Sequence, residues 1–272
     1  MSDPATNASG TVAIGVFFRN AGKYLREWLL FHTAAGVDRF YLYNNDSDDD
    51  FAAVVEPWVR RGLAEVIDWP GALQQGPAFD DCIRRARGHA TWLALLDDDE
   101  FLFDSRGEPL GEVLRAYPDV GGLAVSWYLY GTSGRIYEEP DYVVRRFVRR
   151  RAEIDQHHKC IVRPERVTRT LVLGHLAECV PGYTIVDQLN RPVTTPTSAT
   201  PARERLRINH YLTKSVMEMI ARRTARDPIT GDQPRRSLIE WLTSEKDWNM
   251  VEDASAQRFL GRMESVAAEF PA

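Results

Sequence analysis

At 272 residues, 44% of them hydrophobic and seven of them tryptophan, the chain can bury a large core in about one or two domains. A formal net charge of −5 excludes a general nucleic-acid binder, which needs a broad basic face to neutralise phosphate. Three cysteines, Cys82, Cys160 and Cys179, lack CxxC spacing and are too few for a disulfide framework, and no run approaches the roughly 20 apolar residues of a membrane span.

The opening "MSDPATNASG" has neither a basic n-region nor an apolar h-region, so a soluble, cytoplasmic protein is expected, with residues 1–10 disordered and membranes reached only through partners. "TVAIGVFF" (11–18) is an apolar, β-branched run that predicts a strand. Tyr24, Leu25, Trp28, Leu29, His32 and Ala35 then fall at helical spacing, and Gly36 stands where such a helix stops. "RFYLYN" (39–44) predicts a second strand, "FAAVVEPWVRRG" a helix interrupted at Pro57, and "LAEVIDW" (63–69) a third strand. Pro77 suits the first turn of a helix through "AFDDCIRRARGHA", and "TWLALLD" (91–97) is the fourth strand. Alternation of strand and helix points to a parallel sheet with helices on its faces.

Near residue 105 the alternation stops. "GGLAVSWYLYG", "YVVRRFVRR", "HHKCIVRP" and "TRTLVLGH" read as strands joined by turns, which predicts a mixed or antiparallel extension of the sheet. Residues 181–203 are rich in Pro and Thr and lack periodicity, the pattern of a mobile loop. A short strand "RLRIN" precedes C-terminal helices over 213–268, with breaks at "DPITGDQP" and around "DWNMVED". The expected organisation is one α/β domain over 11–212, with a helical extension over 213–272 packed on it.

Residues 92–103, "WLALLDDDEFLF", set four consecutive carboxylates, Asp97, Asp98, Asp99 and Glu100, between two apolar runs. Ionised carboxylates crowded at the edge of an interior repel one another and resist desolvation, so they need a cation, basic partners or water. In a parallel α/β sheet, ligands collect beyond the carboxyl ends of strands, and this cluster closes the fourth strand. On an extended backbone Asp97 and Asp99 point to one side, and Asp98 and Glu100 to the other. Two hard oxygen ligands on one side suit Mg²⁺ or Mn²⁺ that also holds phosphate oxygens; a solvated acidic turn is the plain alternative.

The second acidic stretch, "NNDSDDD" (44–50), is no EF-hand, because counting from Asn45 puts Asp50 at the glycine position. Asn44, Asn45 and Asp46 there either meet a base or ribose or form an Asx-type turn. His157 and His158 are adjacent and on a strand face opposite ways, while His32 and His89 lie on helical patterns and read as structural. His210 ends the "RLRIN" strand and Lys214 follows near a predicted helix start. Together they either give an imidazole to a metal and an ammonium to a phosphate, or are a packed ring and a surface amine. "VVRRFVRRR" reads first as a solvated strand edge. Absence of GxSxG, GxxxxGK[ST] and GxGxxG removes the usual support for a serine hydrolase, a P-loop enzyme or a dinucleotide-binding dehydrogenase.

Taken in order, "FFRNAGKYLREWLLFHTAAGVDRFYLYNNDSDD", "LQQGPAFDDCIRRARGHATWLALLDDDEFL", "SWYLYGTSG", "HHKCIVRP" and "INHYLTKS" resemble glycosyltransferases of the GT-A fold. The resemblance is greatest to family-2-type bacterial proteins related to glycosyltransferase family 92, and it runs over residues 11 to 218. It implies a Rossmann-like α/β mixed sheet flanked by helices. It also implies metal-dependent, inverting transfer of a sugar from a nucleoside diphosphate donor, first of all a UDP-sugar, to a hydroxyl of a glycan or other acceptor. Asp97, Asp99 and His210 then match ligands of Mn²⁺ or Mg²⁺, and Arg19, Asn20 and Asn45 the region that holds the nucleoside. Gln75 and Arg84 fall where relatives approach ribose and diphosphate, and Asp98 and Lys214 complete the donor contacts. "YGTSG" departs from a Phe-Gly-Ser-like pattern at Tyr130 and Thr132, which leaves the sugar and acceptor contacts open.

Inversion requires a base for the acceptor proton, and Glu138, Glu139 and Asp141 are the candidates, with Glu100 and Glu178 also open. Two other classes stay in view. A nucleotidyltransferase acting on a sugar phosphate would release pyrophosphate, and a non-catalytic nucleotide-sugar-binding module would release nothing.

Overall fold

The structure, a computed structural model, describes residues 10–202, 204–224, 239–240, 243 and 246–271. The expected disorder before residue 10 and the break at "DPITGDQP" lie outside the described residues. Strands β1 (Val12–Phe18), β2 (Arg39–Asn44), β3 (Ala64–Asp68) and β4 (Trp92–Leu96) alternate with helices α1 (Gly22–Ala34), α2 (Phe51–Arg60) and α3 (Gln75–Ala86). β1 pairs in parallel with β2 and β4, and β2 with β3. All four therefore present their carboxyl ends along one edge.

Beyond them come β5 (Glu100–Asp104), α4 (Leu110–Leu114), β6 (Gly122–Leu129), α5 (Val143–Arg146), β7 (Arg149–Arg150) and β8 (His158–Val162). They are followed by β9 (Val167–Leu171), β10 (Leu176–Cys179), β11 (Ile185–Asp187), β12 (Leu206–His210), α6 (Val216–Thr224), β13 (Val251–Glu252) and α7 (Leu260–Glu269). The main sheet runs β3-β2-β1-β4-β8-β6-β12-β5, with β11 beside β6. β8 lies antiparallel to β4 and β6, while β12 is parallel to β6 and antiparallel to β5. This mixed α/β sheet flanked by helices bears out the GT-A class, including the loss of alternation past residue 105.

One face of the sheet buries Leu25, Trp28 and Leu29 of α1 with Val55 and Trp58 of α2; the other buries Ala78, Phe79, Cys82 and Ile83 of α3. The C-terminal residues join the first face, where Phe259 packs 5.1 Å from Phe31 and Phe270 stacks 4.7 Å from Trp58. Among the described residues no helix is long and apolar enough to cross a membrane. β1 passes close to α3 at Gly15, where an added Cβ would lie 2.4 Å from Cys82 Sγ. Gly15→Ala is expected to cost about 1–3 kcal/mol in urea unfolding, with Cys82→Ala in the same chain recovering part of it. Wild-type stability in the single variant would mean that α3 yields instead.

Three expectations are corrected. Pro57 sits inside an uninterrupted α2, because buried Phe51, Val55 and Trp58 hold the helix through the missing hydrogen bond. "YVVRR" forms helix α5 rather than a strand, since Glu27 on α1 caps it, accepting the N–H groups of Val143 (2.6 Å) and Val144 (3.0 Å). Residues 181–203 contain β11 and a built turn: Asp187 Oδ1 accepts the N–H groups of Leu189 and Arg191, and the Gln188 amide brackets the Leu206 backbone.

Candidate active site

The chain leaves β4 at Leu96 and turns through Asp97, Asp98 and Asp99 into β5, with the Glu100 N–H donating to the Asp97 carbonyl at 3.2 Å. The backbone is a turn and not an extended strand, so the expected one-sided pair of Asp97 and Asp99 does not form. Asp97 accepts from Gln75 Nε2 at 2.8 Å through Oδ1 and from Lys159 Nζ at 3.0 Å through Oδ2. Asp99, buried, has Oδ2 against Arg222 Nη1 at 2.5 Å. Its Oδ1 lies 3.2 Å from His210 Nε2, not aligned as a hydrogen bond, and has no hydrogen-bond partner among the described residues.

Strand register places His210. β12 sets it opposite Glu100 on β5 and Leu129 on β6, and the Tyr211 N–H donates to the Asp99 carbonyl at 2.9 Å. Lys159 arrives from β8, 1% exposed, with its ammonium also 3.7 Å from Glu100 Oε2 and 3.3 Å from the Leu173 carbonyl. The basic partners required by the four carboxylates thus come from β8, β12, α6 and the turn holding Lys214.

Burial and neighbours split the ionisations. Burial would pull the Lys159 ammonium down, but Asp97 and then Glu100 hold its pKa above the lysine value. Glu100 is pushed well above the carboxylate range by burial, against the pull of Lys159. Asp98 is raised by burial and then by Asp99. For Asp99 burial acts upward, but Arg222 and then His210 outweigh it and hold the group well below the usual range. Burial depresses Lys214, with Asp99 offsetting part of the effect, and its ammonium sits 4.3 Å over the Tyr24 ring.

Lys214 occupies a turn at φ +54°, and α6 begins only at Val216. The N–H groups of the first turn of α6 are taken within the protein. Ser215 and Glu218 close a capping box on each other, and the Val216 and Met217 N–H groups donate to the Arg135 and Ile136 carbonyls at 3.0 Å each. The expected contact of Lys214 with an anion therefore rests on its ammonium.

Arg19 and Asn20 lie exposed at the carboxyl end of β1. Asn20 ties down the acidic loop, giving its N–H to Ser47 Oγ and accepting the Asp48 N–H, both at 2.9 Å. Buried Asn45 gives its amide to the Trp69 and Gly71 carbonyls at 2.9 and 2.8 Å, and Asn44 Oδ1 accepts the N–H of Ser47, three residues on. Gln75 reaches Asp97, but Arg84 does not: it pairs with Asp81 at 2.6 Å, about 13 Å further along α3. Glu138, Glu139 and Asp141 line a cleft of about 440 Å³ together with Lys23, Tyr24 and Arg146. Each of the three faces a cation, Lys23, Arg135 and Arg145 respectively.

Among the described residues no group of three or more His, Cys, Asp or Glu side chains is placed to hold a metal ion. Of the three expected ligands, Asp99 and His210 are together, and Asp97 is committed to Gln75 and Lys159. Two protein ligands, one a buried oxygen without a hydrogen bond, still suit a divalent ion that completes its shell with phosphate oxygens and water. Lys159 and Arg222 were not singled out from the sequence. A lysine inside the apolar strand "KCIV" is a signal for the first; nothing local marks the second.

Residues 11–184 match the sequence model of Glycosyltransferase family 92. A glycosyltransferase family 92 protein of Ricinus communis is 30% identical over 182 residues, which are 63% of this chain and 33% of that one. Another, of Oryza sativa subsp. japonica, is 32% identical over 167 residues, 60% of this chain and 28% of that one. Among solved structures, S. aureus TarS in complex with UDP aligns over 96% of this chain and 72% of its own with a TM-score of 0.42 and 11% identity, a likeness too distant to carry residue roles across. The chain spans about a third of the length of the curated relatives it matches.

Proposed function

The chain belongs to glycosyltransferase family 92, and from that premise we propose that it transfers a sugar from a nucleoside diphosphate sugar, first of all a UDP-sugar, to an acceptor hydroxyl with inversion. One observation carries the reading. At the carboxyl edge of the sheet a buried Asp99 Oδ1 faces His210 Nε2, with the cations of Lys159, Lys214 and Arg222 around it.

Departure of a diphosphate builds negative charge on the leaving oxygen, so groups that meet that charge lower the barrier. Lys214 suits the task, because burial lowers the pKa of its ammonium and an arriving diphosphate would raise it again. Arg222, bonded to Asp99, would add a second cation to the same anion. A Mn²⁺ or Mg²⁺ ion on Asp99 and His210 would supply Lewis-acid stabilisation of the diphosphate. Gln75 and Lys159 hold Asp97, and through it the turn that presents Asp99. Arg19, Asn20 and Asn45, at the ends of β1 and β2, are the residues this reading assigns to the nucleoside.

Calorimetry with Mn²⁺ present tests the donor site. UDP is expected to bind more tightly than uridine, and Lys214→Ala to weaken UDP about tenfold while leaving uridine unchanged, as the loss of one charge-assisted contact of about 1.5–3 kcal/mol predicts. Equal UDP affinities in the two proteins would remove Lys214 from the diphosphate. UDP release from UDP-galactose, UDP-glucose or UDP-N-acetylglucosamine marks a glycosyltransferase; pyrophosphate release from UTP and a sugar phosphate would replace the reading with a nucleotidyltransferase.

A further inference from the structure

We propose that His157, oriented by Asp155, is the general base for the acceptor hydroxyl, in an acceptor cleft that adjoins the donor site. The proposal rests on the transferase reading above. His157 precedes β8 and, with Asp155, Gln156, Ala199 and Pro201, lines a cleft of about 540 Å³. His158 is buried and His157 is 51% exposed, so the adjacent rings face opposite ways.

Asp155 Oδ1 accepts from the His157 backbone N–H at 2.9 Å and contacts ring Nδ1 at 2.6 Å. A carboxylate oxygen there calls for the proton on Nδ1, which leaves the Nε2 lone pair free to take another. The same carboxylate stabilises the imidazolium that forms. The segment is also fastened to β6, since the Trp127 N–H donates to the His157 carbonyl at 3.1 Å and the Asp155 N–H to the Trp127 carbonyl at 2.9 Å. His157 stacks 5.4 Å from Trp127, which also meets His210 at 4.6 Å and His175 at 5.0 Å. One indole therefore separates this imidazole from the pair assigned to the metal and diphosphate. His157 also lies 5.9 Å from His175, which feels Lys159 and Asp97.

The carboxylates considered as bases are each committed elsewhere. Glu138, Glu139 and Asp141 face Lys23, Arg135 and Arg145; Glu178 pairs with Arg169 at 2.7 Å; Glu100 accepts the Asp97 N–H inside the core. In the proposed step the acceptor O–H proton passes to His157 Nε2 while the acceptor oxygen bonds to the anomeric carbon. The bond from that carbon to the diphosphate oxygen breaks, and its electron pair leaves with the nucleoside diphosphate.

Wild type, His157→Gln and Asp155→Asn are compared with UDP-galactose, UDP-glucose and UDP-N-acetylglucosamine in turn, water and free galactose serving as acceptors, alongside calorimetry of UDP with Mn²⁺. A general base contributes roughly 10²- to 10⁴-fold, so His157→Gln is expected to lower kcat about 100-fold or more with UDP affinity within about twofold of wild type. Asp155→Asn, whose amide no longer fixes the ring tautomer, should lower kcat roughly tenfold or more with donor KM and UDP affinity unchanged, and Asp155→Glu should recover part of the loss. A His157→Gln kcat within about threefold of wild type would overturn the dyad and leave the transferase reading standing. Wild-type binding of UDP without turnover of any donor would overturn both.

Discussion

Lys159→Met is expected to destabilise the chain by about 3 kcal/mol in urea unfolding. Breaking a buried ion pair from one side costs about 3–5 kcal/mol when the abandoned charge has no other partner. Asp97 is 31% exposed and keeps Gln75, so the low end of that range applies. Methionine retains the apolar stem and removes only the ammonium, so the loss reports charge and not packing. Adding Asp97→Asn should recover most of it. The sign of the pH dependence follows. The Lys159 pKa is held above the ordinary lysine value, so its contribution is fully present below pH about 10.4 and is lost as pH rises through the folded-state value. Wild type should lose stability over that alkaline range and Lys159→Met should not. A loss under about 1 kcal/mol would place the pair with ordinary surface ion pairs.

That ion pair also marks where legibility ends. β1 to β4 emerged near their predicted bounds because each buries apolar residues against one core, and period and turn residues encode that locally. The charge cluster was legible for the same local reason, four carboxylates between apolar runs. Its internal geometry was not. Alternation assumes an extended backbone, and the turn exists because Glu100 starts a strand that pairs with β12 more than a hundred residues later. Lys159 meets Asp97 across 62 residues, and Arg222 meets Asp99 across 123, through a sheet order that no local pattern states. Helix α5 was hidden likewise, since its cap, Glu27, lies 116 residues upstream of Val143. His157 was read only as a strand position facing away from His158, which was right about direction and silent about Asp155.

The turn also separates two aspartates that a strand would have made equivalent, and this sets the largest effect expected on ligand binding. Asp99→Asn should abolish the Mn²⁺-dependent part of UDP affinity, lowering UDP binding in Mn²⁺ to the level seen with EDTA. Partners one shell outside a metal are worth about 10- to 100-fold in its affinity, so removing a direct carboxylate is expected to cost on the order of 100-fold or more. His210→Ala should act on the same quantity, because its Nε2 lies 3.2 Å from Asp99 Oδ1 and the two would bind one ion. Asp97→Asn should behave differently: both its oxygens face protein donors, so the variant loses stability through Lys159 while most metal-dependent affinity survives. Arg222 sharpens the contrast. It bonds the other oxygen of Asp99, so Arg222→Ala should leave Mn²⁺ dependence intact while weakening UDP by the loss of a cation beside the diphosphate. Calorimetry of UDP with Mn²⁺ and with EDTA on the four variants decides the matter. Full Mn²⁺ dependence in both Asp99→Asn and His210→Ala would remove the cation from this edge of the sheet, and an Asp97→Asn protein as impaired as Asp99→Asn would restore the equivalence that the turn denies.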